Sequence, residues 1–277
     1  MRLPVNGHET YCYTGGRTFD AALPTVVLIH GVLNDHSVWA MQSRWLANHG
    51  WNVLAVDLPG HCRSAGPAPK SVEEAADFII ALLDALQVAH AALVGHSWGS
   101  LIALEAASRM KARATHLVLV GTAWPMKVSP ALLDAALNAP ETALRMVNVY
   151  SRSTLCAPPS ALGPGTWVFG AQMALGRRVL ASNTEVNVFH RGFMACDQYA
   201  GGEAAMARIE CPVLFVLGAQ DQMTTPKAAQ TLVAAARQAG KAVSVRMLPV
   251  GHNEMTEAPE ETLAALRDFL VSSHDRN

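Results

Sequence analysis

The sequence is poor in charged residues and has almost no charge imbalance. Charged residues make up 16 % of its 277 residues, and 21 basic against 22 acidic side chains give a formal net charge of −1. Proteins that bind nucleic acid or anionic membranes typically carry a basic excess, so we expect neither kind of partner. Because 51 % of the residues are hydrophobic, the composition also excludes a disordered chain.

Long apolar runs are missing as well. No stretch of about 18 consecutive apolar residues occurs, so we expect no membrane-spanning helix. The first nine residues lack the basic region and the apolar stretch that are typical of a secretory signal. These absences predict a cytoplasmic protein. They leave open whether it is a monomer or a homodimer.

Cysteine is scarce and unpaired in its spacing. The five cysteines form no CxxC pair, and they are Cys12, Cys62, Cys156, Cys196 and Cys211. Their odd number and scattered positions argue against a disulfide framework and a structural zinc site. No cluster of His, Cys, Asp and Glu has metal-ligand spacing, and no glycine-rich phosphate loop follows the first apolar run. We therefore expect a protein without metal or cofactor that binds a small-molecule substrate.

Short apolar runs alternate with longer amphipathic stretches along most of the chain. The runs cover residues 25–30, 52–57, 91–96, 116–121, 212–218 and 242–248. They are predicted to be strands buried on both faces, as in a parallel sheet. Helices are predicted at residues 37–48, 72–86, 97–109, 227–239 and 259–271, and one or two antiparallel strands within residues 9–19. The alternation predicts an α/β fold with a mostly parallel central sheet flanked by helices.

The rhythm stops between residues 124 and 208. This interval has no clear buried strand, and its Met, Ala and Arg residues recur at helical spacing between Pro and Gly breaks. We interpret residues 124–208 as a helical cap inserted into a core formed by residues 1–123 and 209–277.

The segment GHSWG at residues 95–99 is the most informative local motif. It matches G-x-S-x-G and lies directly between a predicted strand and an Ala- and Leu-rich predicted helix. In that setting Ser97 occupies a tight, strained turn, and glycine at positions 95 and 99 removes side chains that would collide. The motif predicts Ser97 as a nucleophile; an ordinary tight turn with a small polar residue is the alternative.

A nucleophilic serine needs a base, and the base needs an acid that orients it. His252 follows the last predicted strand, and Asp221 follows the strand before it. Both loops are expected at the carboxyl edge of the sheet, as is Ser97, and the order Ser97, Asp221, His252 fits this type of motif. We predict His252 as the base and Asp221 as the acid, with a merely loop-capping Asp221 as the alternative. His96 is predicted to be structural.

Negative charge on the attacked carbonyl oxygen needs two backbone donors. One is predicted to be the N–H of Trp98, which follows the nucleophile. The other is predicted to be the N–H of Val32, in the turn after the first parallel strand, where Gly31 allows a close backbone approach. His30 is predicted to support this turn by hydrogen bonding.

These motifs together resemble a known superfamily. The segments HGVLNDHSVW, DLPGHCRS, VGHSWGS, LGAQDQMTTP and VGHNEMTEAP look like those of the α/β-hydrolase superfamily. They resemble in particular its bacterial serine hydrolases with a helical cap, which include esterases, lactonases, C–C bond hydrolases and proline iminopeptidases. Cys62 departs from the pattern, in which glycine is usual. Haloalkane dehalogenases and epoxide hydrolases of this outline have aspartate at the nucleophile position, so Ser97 argues against both activities.

The resemblance implies an α/β-hydrolase fold and a serine hydrolase that cleaves a small or medium ester-like carbonyl substrate through an acyl-enzyme on Ser97. Hydrolysis of a C–C bond in a vinylogous diketone, with the same residues, and a non-catalytic ligand receptor are the alternatives. Aromatic and methionine residues of the insertion are candidates for the substrate pocket: Trp124, Met126, Phe193 and Met194 first, then Trp167, Met173, Phe189 and Tyr199.

Overall fold

The computed structural model describes residues 1–152 and 168–271. The strands are β1 (Arg2–Val5), β2 (His8–Tyr13), β3 (Thr25–Ile29), β4 (Asn52–Val56), β5 (Ala91–His96), β6 (Ala114–Val120), β7 (Val213–Gly218) and β8 (Val243–Leu248). The helices are α1 (Ala40–Asn48), α2 (Val72–Ala85), α3 (Trp98–Met110), α4 (Pro130–Asn138), α5 (Pro140–Ser151), α6 (Val168–Ala181), α7 (Val188–Gln198), α8 (Gly202–Arg208), α9 (Pro226–Gln238), α10 (Glu254–Glu257) and α11 (Pro259–Val271).

The strands form one eight-stranded sheet in the order β1-β2-β4-β3-β5-β6-β7-β8. Strands β3 to β8 are parallel to one another, whereas β1 and β2 are antiparallel. The predicted mostly parallel sheet flanked by helices is therefore confirmed. Strand β3 lies between β4 and β5, so the direction of strand addition reverses beside it. In open α/β sheets, ligands bind where such a reversal occurs, at the carboxyl ends of the strands.

Both faces of the central strands are buried because helices cover each side of the sheet. Successive residues of β3 alternate between two apolar clusters: Val27 and Ile29 pack with residues of α2, α3 and α9, whereas Val26 and Leu28 pack with residues of α1 and α11. Side chains in a strand point alternately to opposite faces, so a strand covered on both sides must be apolar throughout. This explains the uninterrupted apolar runs of the sequence.

Strand β8 does not follow that pattern, and the prediction that it is buried on both faces was wrong. It pairs only with β7 and forms an edge of the sheet. Its residues alternate between half-buried and exposed over much of its length, and Met247 is 48 % exposed. An edge strand keeps one side open to solvent, so the composition of an apolar run alone does not distinguish it from an inner strand.

The amino-terminal strands were also predicted only in part. Strand β2 ends at Tyr13, and β1 lies before the predicted interval. The two strands are joined at Asn6 and Gly7, which both have positive φ angles of 49° and 79°. Asn-Gly between two strands is the turn that favours a tight hairpin, so the sequence did contain a signal for β1.

Helices α4 to α8 lie between β6 and β7, in the interval predicted to be helical. Residues of α4, α5, α6 and α7 share an apolar cluster that also takes in Leu33 and Ala68 from loops of the sheet domain. We propose that these helices form a cap over the carboxyl edge. Among residues 1–152 and 168–271 we find no helix whose length and apolarity would let it span a bilayer.

We expect the inner strand β7 and the edge strand β8 to respond differently to truncation. Leu214 is 1 % exposed, so Leu214→Ala leaves a cavity and should lower the free energy of unfolding by about 2–5 kcal/mol. Met247→Ala, on the exposed edge, should change it by less than about 0.5 kcal/mol. Urea denaturation of both variants measures the difference. Equal losses would contradict the assignment of β8 as an exposed edge.

Candidate active site

Ser97 lies at a sharp turn between β5 and α3. Its backbone has φ +54° and ψ −120°, a left-handed conformation that is strained for a residue with a side chain. The Ser97 N–H donates to the carbonyl of Val120 at 2.9 Å, which ties the turn to the neighbouring strand β6. Tertiary contacts therefore hold the strained turn that the motif predicted.

Glycine is needed on both sides of Ser97 because backbone segments meet there. A Cβ atom on Gly95 would overlap the carbonyl of Gly99, and a Cβ on Gly99 would overlap the carbonyls of Ile29 and His30. Gly99 thus lets the first turn of α3 lie directly against the end of β3. The loop after β3 is in this way brought beside Ser97.

That loop carries Val32, the second predicted oxyanion donor. Val32 lines a cavity together with Ser97, and Trp98 is the first residue of α3. Within the described residues, the loop and turn hydrogen bonds of the backbone use neither the Val32 N–H nor the Trp98 N–H. His30 supports the loop as predicted: its Nδ1 lies 2.8 Å from the Gly31 carbonyl, and its Nε2 accepts from the Leu58 N–H.

Asp221 and His252 are brought together by strands β7 and β8. Because Gly218 pairs with Leu248, the loops that follow these strands are neighbours. Asp221 Oδ2 lies 2.8 Å from His252 Nδ1 and also accepts from the Thr224 hydroxyl at 2.7 Å. Its other oxygen, Oδ1, accepts the N–H groups of Met223 and Thr224. Asp221 therefore caps its own loop and bonds the histidine at the same time.

The carboxyl of Asp221 is ionised in this arrangement. Burial alone would raise its pKa, but the neighbouring imidazole of His252 and the hydrogen bonds from His252 and Thr224 outweigh burial and lower the pKa of Asp221. With Nδ1–H directed at this carboxylate, the Nε2 atom of His252 is left as the basic nitrogen. Thr224 also lies 3.0 Å from His252 Nδ1, a contact that the sequence motifs did not reveal.

His252 is held from three sides in addition to Asp221. Its N–H donates to the Ser151 carbonyl of α5 at 2.8 Å, and its carbonyl accepts from His96 Nε2 at 2.7 Å. Gly121, after β6, leaves room for the ring: a Cβ there would lie 3.1 Å from His252 Nδ1. His96 is structural, as predicted. Burial and the nearby His252 lower the pKa of His96 to about 3, so it is neutral.

Ser97 and His252 line the same cavities, but within the described residues no hydrogen bond joins the Ser97 hydroxyl to the imidazole. This bond is often long in free enzymes and tightens when a substrate binds. Side-chain rotation rather than backbone movement separates the two groups from direct contact, because both loops are fixed by the hydrogen bonds above.

Two cavities meet at Ser97. The small chamber, of about 50 Å³, lies toward α5 and α6 and is lined among others by Asn34, Leu144, Asn148, Ser151 and Gln172. The large chamber, of about 450 Å³, lies toward α4 and is lined among others by Met126, Leu132, Met146, Tyr150 and Cys196. Four residues line both chambers: Ser97, Phe193, Met223 and His252.

The predicted pocket residues divide between the site and the packing around it. Met126 and Phe193 line the chambers, whereas Trp124 and Met194 line neither. The Trp124 ring packs against Tyr199 and Gly202, and Met194 lines a shallow surface groove. Met173, Phe189 and Tyr199 are buried within the apolar clusters. Trp167 lies outside the described residues.

Asp35, His36 and Asp57 form a cluster that the sequence spacing did not indicate. Their ligand atoms lie within 4.8 Å of one another. The oxygens are already used: Asp35 accepts from Ser37 and from the Arg178 guanidinium, and Asp57 accepts from His36 and the Arg63 N–H. Arg178 already supplies a positive charge there, so the cluster is explained as a hydrogen-bonded connection between α6 and the loop after β3.

Glu254 is a fully buried carboxyl beside the candidate site. Neither of its oxygens has a hydrogen-bond partner, and the neutral His96 has its Nε2 atom 3.7 Å from Oε2. Burial, followed by the negative charge of Asp221, raises the pKa of Glu254 well above its usual range. Glu257 acts in the same direction, and the N–H groups of Glu254 and Gly218 only partly oppose it. The folded protein therefore retains this proton to higher pH than the unfolded chain does.

We expect Glu254→Gln to stabilise the protein by an amount that grows with pH. When the pKa of a carboxyl is higher in the folded state, the associated stability is complete below the unfolded-state pKa and declines as pH rises toward the folded-state pKa. Glutamine stays neutral and avoids that decline. The free energy of unfolding at about pH 5 and about pH 8 measures the effect. Glu260→Gln, on the exposed start of α11, is the matched control, and a pH-independent difference for Glu254→Gln would contradict the prediction.

Comparison with known proteins agrees with this architecture. A curated relative from Acinetobacter baylyi, (E)-2-((N-methylformamido)methylene)succinate hydrolase, is 26 % identical over 258 residues, which cover 90 % of each chain. An epoxide hydrolase from Caballeronia sordidicola is 37 % identical over 93 residues, 32 % of this chain and 28 % of that protein. The chain spans between 26 and 55 % of the length of the first curated relatives that it matches.

The solved structures agree in fold. The enol-lactonase from Burkholderia xenovorans LB400 superposes with a TM-score of 0.79 at 23 % identity, over 98 % of this chain and 99 % of that one. Residues 24–259 match the family model of the alpha/beta hydrolase fold. The match covers most of the chain and confirms the resemblance in the motifs: the chain belongs to the alpha/beta hydrolase fold family.

Proposed function

We propose that the protein is a serine hydrolase that cleaves a small or medium ester-like carbonyl substrate through an acyl-enzyme on Ser97. The observation that supports this most is the 2.8 Å contact between Asp221 Oδ2 and His252 Nδ1, in a loop pair that lines the same cavities as Ser97. A binding protein has no need of a buried carboxylate that fixes the tautomer of a cavity-lining histidine.

In the proposed mechanism, the Ser97 hydroxyl attacks the substrate carbonyl carbon while His252 Nε2 takes its proton. The N–H groups of Val32 and Trp98 stabilise the resulting oxyanion. His252 then returns the proton to the leaving group as the bond to the carbonyl carbon breaks. Water, deprotonated by His252, attacks the acyl-enzyme, and its collapse frees Ser97 and the carboxylic acid.

The role of Asp221 in this scheme is orientation and charge. It keeps the proton of the neutral imidazole on Nδ1 and stabilises the imidazolium that forms in each half of the reaction. The two N–H groups and the Thr224 hydroxyl that bond Asp221 keep the carboxylate in place without water. Since the carboxylate is buried, its attraction for the imidazolium is weakly screened.

The names of the relatives include different bond types, so they do not choose the substrate. Ser97 supports acyl transfer rather than epoxide opening, for which the resembling epoxide hydrolases have aspartate at this position. C–C bond cleavage uses the same residues and remains the alternative reaction. Activity on a vinylogous diketone, with none on simple esters, would select it.

We expect Ser97→Ala to fold normally and to lose turnover by roughly 10³-fold or more, because the nucleophile, base and acid act as a unit. A fluorophosphonate probe should label the unchanged protein at Ser97, with mass spectrometry locating the adduct. Ser108→Ala, in α3 and away from both chambers, is the matched control and should keep labelling and turnover. Undiminished hydrolysis by Ser97→Ala, or labelling at another serine, would refute the proposal.

We expect Asp221→Asn to lower turnover by roughly 10²–10⁴-fold while substrate affinity is retained, because an amide can favour the wrong imidazole tautomer. Steady-state kinetics and a melting curve on the same preparation separate this loss from unfolding. If the variant kept about a third of wild-type turnover or more, Asp221 would have only its loop-capping role. The acid would then be sought in Asp57, Asp197 or the buried Glu254.

A further inference from the structure

The small chamber is polar but uncharged. Asn34 and Asn253 reach it from the sheet domain, and Asn148, Ser151 and Gln172 reach it from α5 and α6. No Asp, Glu, Lys or Arg lines it, and His96, which does, is neutral because burial lowers its pKa to about 3. A charged ligand group would lose its hydration in this chamber without gaining a counter-charge. The volume of about 50 Å³ accommodates a group of only a few heavy atoms.

Ser151 provides an unused hydrogen-bonding group in this chamber. The residue is 2 % exposed, and its Oγ atom has no hydrogen-bond partner. A buried hydroxyl without a partner destabilises a protein, and alanine would remove that cost without altering the backbone carbonyl that holds His252. Features that oppose stability are characteristic of functional sites. The hydroxyl is therefore available to a ligand that enters the chamber.

The large chamber has the opposite character. Its walls include Met126, Leu132 and Phe193, and methionine adapts to apolar groups of irregular shape. The one cationic side chain that lines it, Lys127, is engaged by Asp197: the Nζ atom donates to the Asp197 carbonyl at 2.6 Å and lies 3.8 Å from its carboxylate. This chamber is suited to a hydrocarbon group of several carbons.

We infer that the substrate carries two unlike groups on either side of its scissile carbonyl: a compact, uncharged group with a hydroxyl, ether or amide in the small chamber, and an alkyl or aryl group in the large chamber. The inference rests on the proposed attack by Ser97, which lies where the chambers meet. Ser151 is its specificity-determining residue, and its hydroxyl recognises the polar group.

Two pairs of isosteric esters test this assignment for both orientations of the ester. Propyl octanoate and 2-hydroxyethyl octanoate differ by one hydroxyl on the alcohol side. Octyl propanoate and octyl glycolate differ by one hydroxyl on the acyl side. The ratio of kcat/KM within each pair is measured for the full chain, for Ser151→Ala and for Ser108→Ala. Comparing variants within one pair cancels the intrinsic reactivity of the esters.

In one of the two pairs, we expect Ser151→Ala to lower the preference for the hydroxyl-bearing ester by roughly 3- to 10-fold, the effect of one hydrogen bond between neutral groups. The kcat/KM for the apolar isostere should be unchanged, and the melting temperature should be unchanged or higher. Ser108→Ala should leave both ratios as they are. The responding pair also identifies which side of the ester occupies the small chamber.

Three outcomes would overturn the inference. Unchanged ratios in Ser151→Ala would remove its role in recognition. An equal loss on all four esters would mean that Ser151 serves the attacking water or His252 instead of the substrate. Failure of all four esters to react, while a fluorophosphonate still labels Ser97, would exclude the substrate class. If instead hydrolysis persists in Ser97→Ala, the proposed serine mechanism itself fails, which is a distinct result.

Discussion

Strand register is the constraint on which the rest of the site depends. Ile29 pairs with Gly95, so the loop after β3 emerges beside the turn that carries Ser97. Gly218 pairs with Leu248, so the loops that carry Asp221 and His252 emerge as neighbours. In a parallel sheet the carboxyl ends share one edge, and a chemically useful group assembles there from segments that are far apart in sequence. A register shift of one residue would redirect these loops and reverse the faces of the buried strands.

Strand β6 lies between the nucleophile and the acid–base pair and contributes space rather than a reactive side chain. Gly121 ends it with a positive φ of 53°, and a Cβ at this position would be 3.1 Å from His252 Nδ1 and from both oxygens of Glu254. The gap left by this missing side chain is where the imidazole and the second carboxyl come close. The loop after β6 therefore matters for what it lacks, although it has no carboxylate of its own.

Burial gives the ionisable groups around His252 distinct charge states. Asp221 is buried with four hydrogen-bond donors and stays ionised, whereas Glu254 is buried with none and favours its protonated form. His96 is buried without a paired counter-ion and stays neutral. The hydrogen bonds available to each group, more than its chemical type, thus determine its charge in the low-dielectric interior.

The sequence by itself determined the class of fold and the chemistry of the candidate site. Apolar runs predicted β3 to β7 because strands covered on both faces must be apolar, and glycines around Ser97 announced a turn that only glycine permits. Tertiary structure decided the rest. Nothing local marks Ser151, Glu254 or Thr224, since their surroundings come from segments 28 to 156 residues away or from helices whose packing the sequence does not specify. Periodicity reports whether a residue is buried, but its neighbours are set by which elements pack against it, and that choice is made across the whole chain.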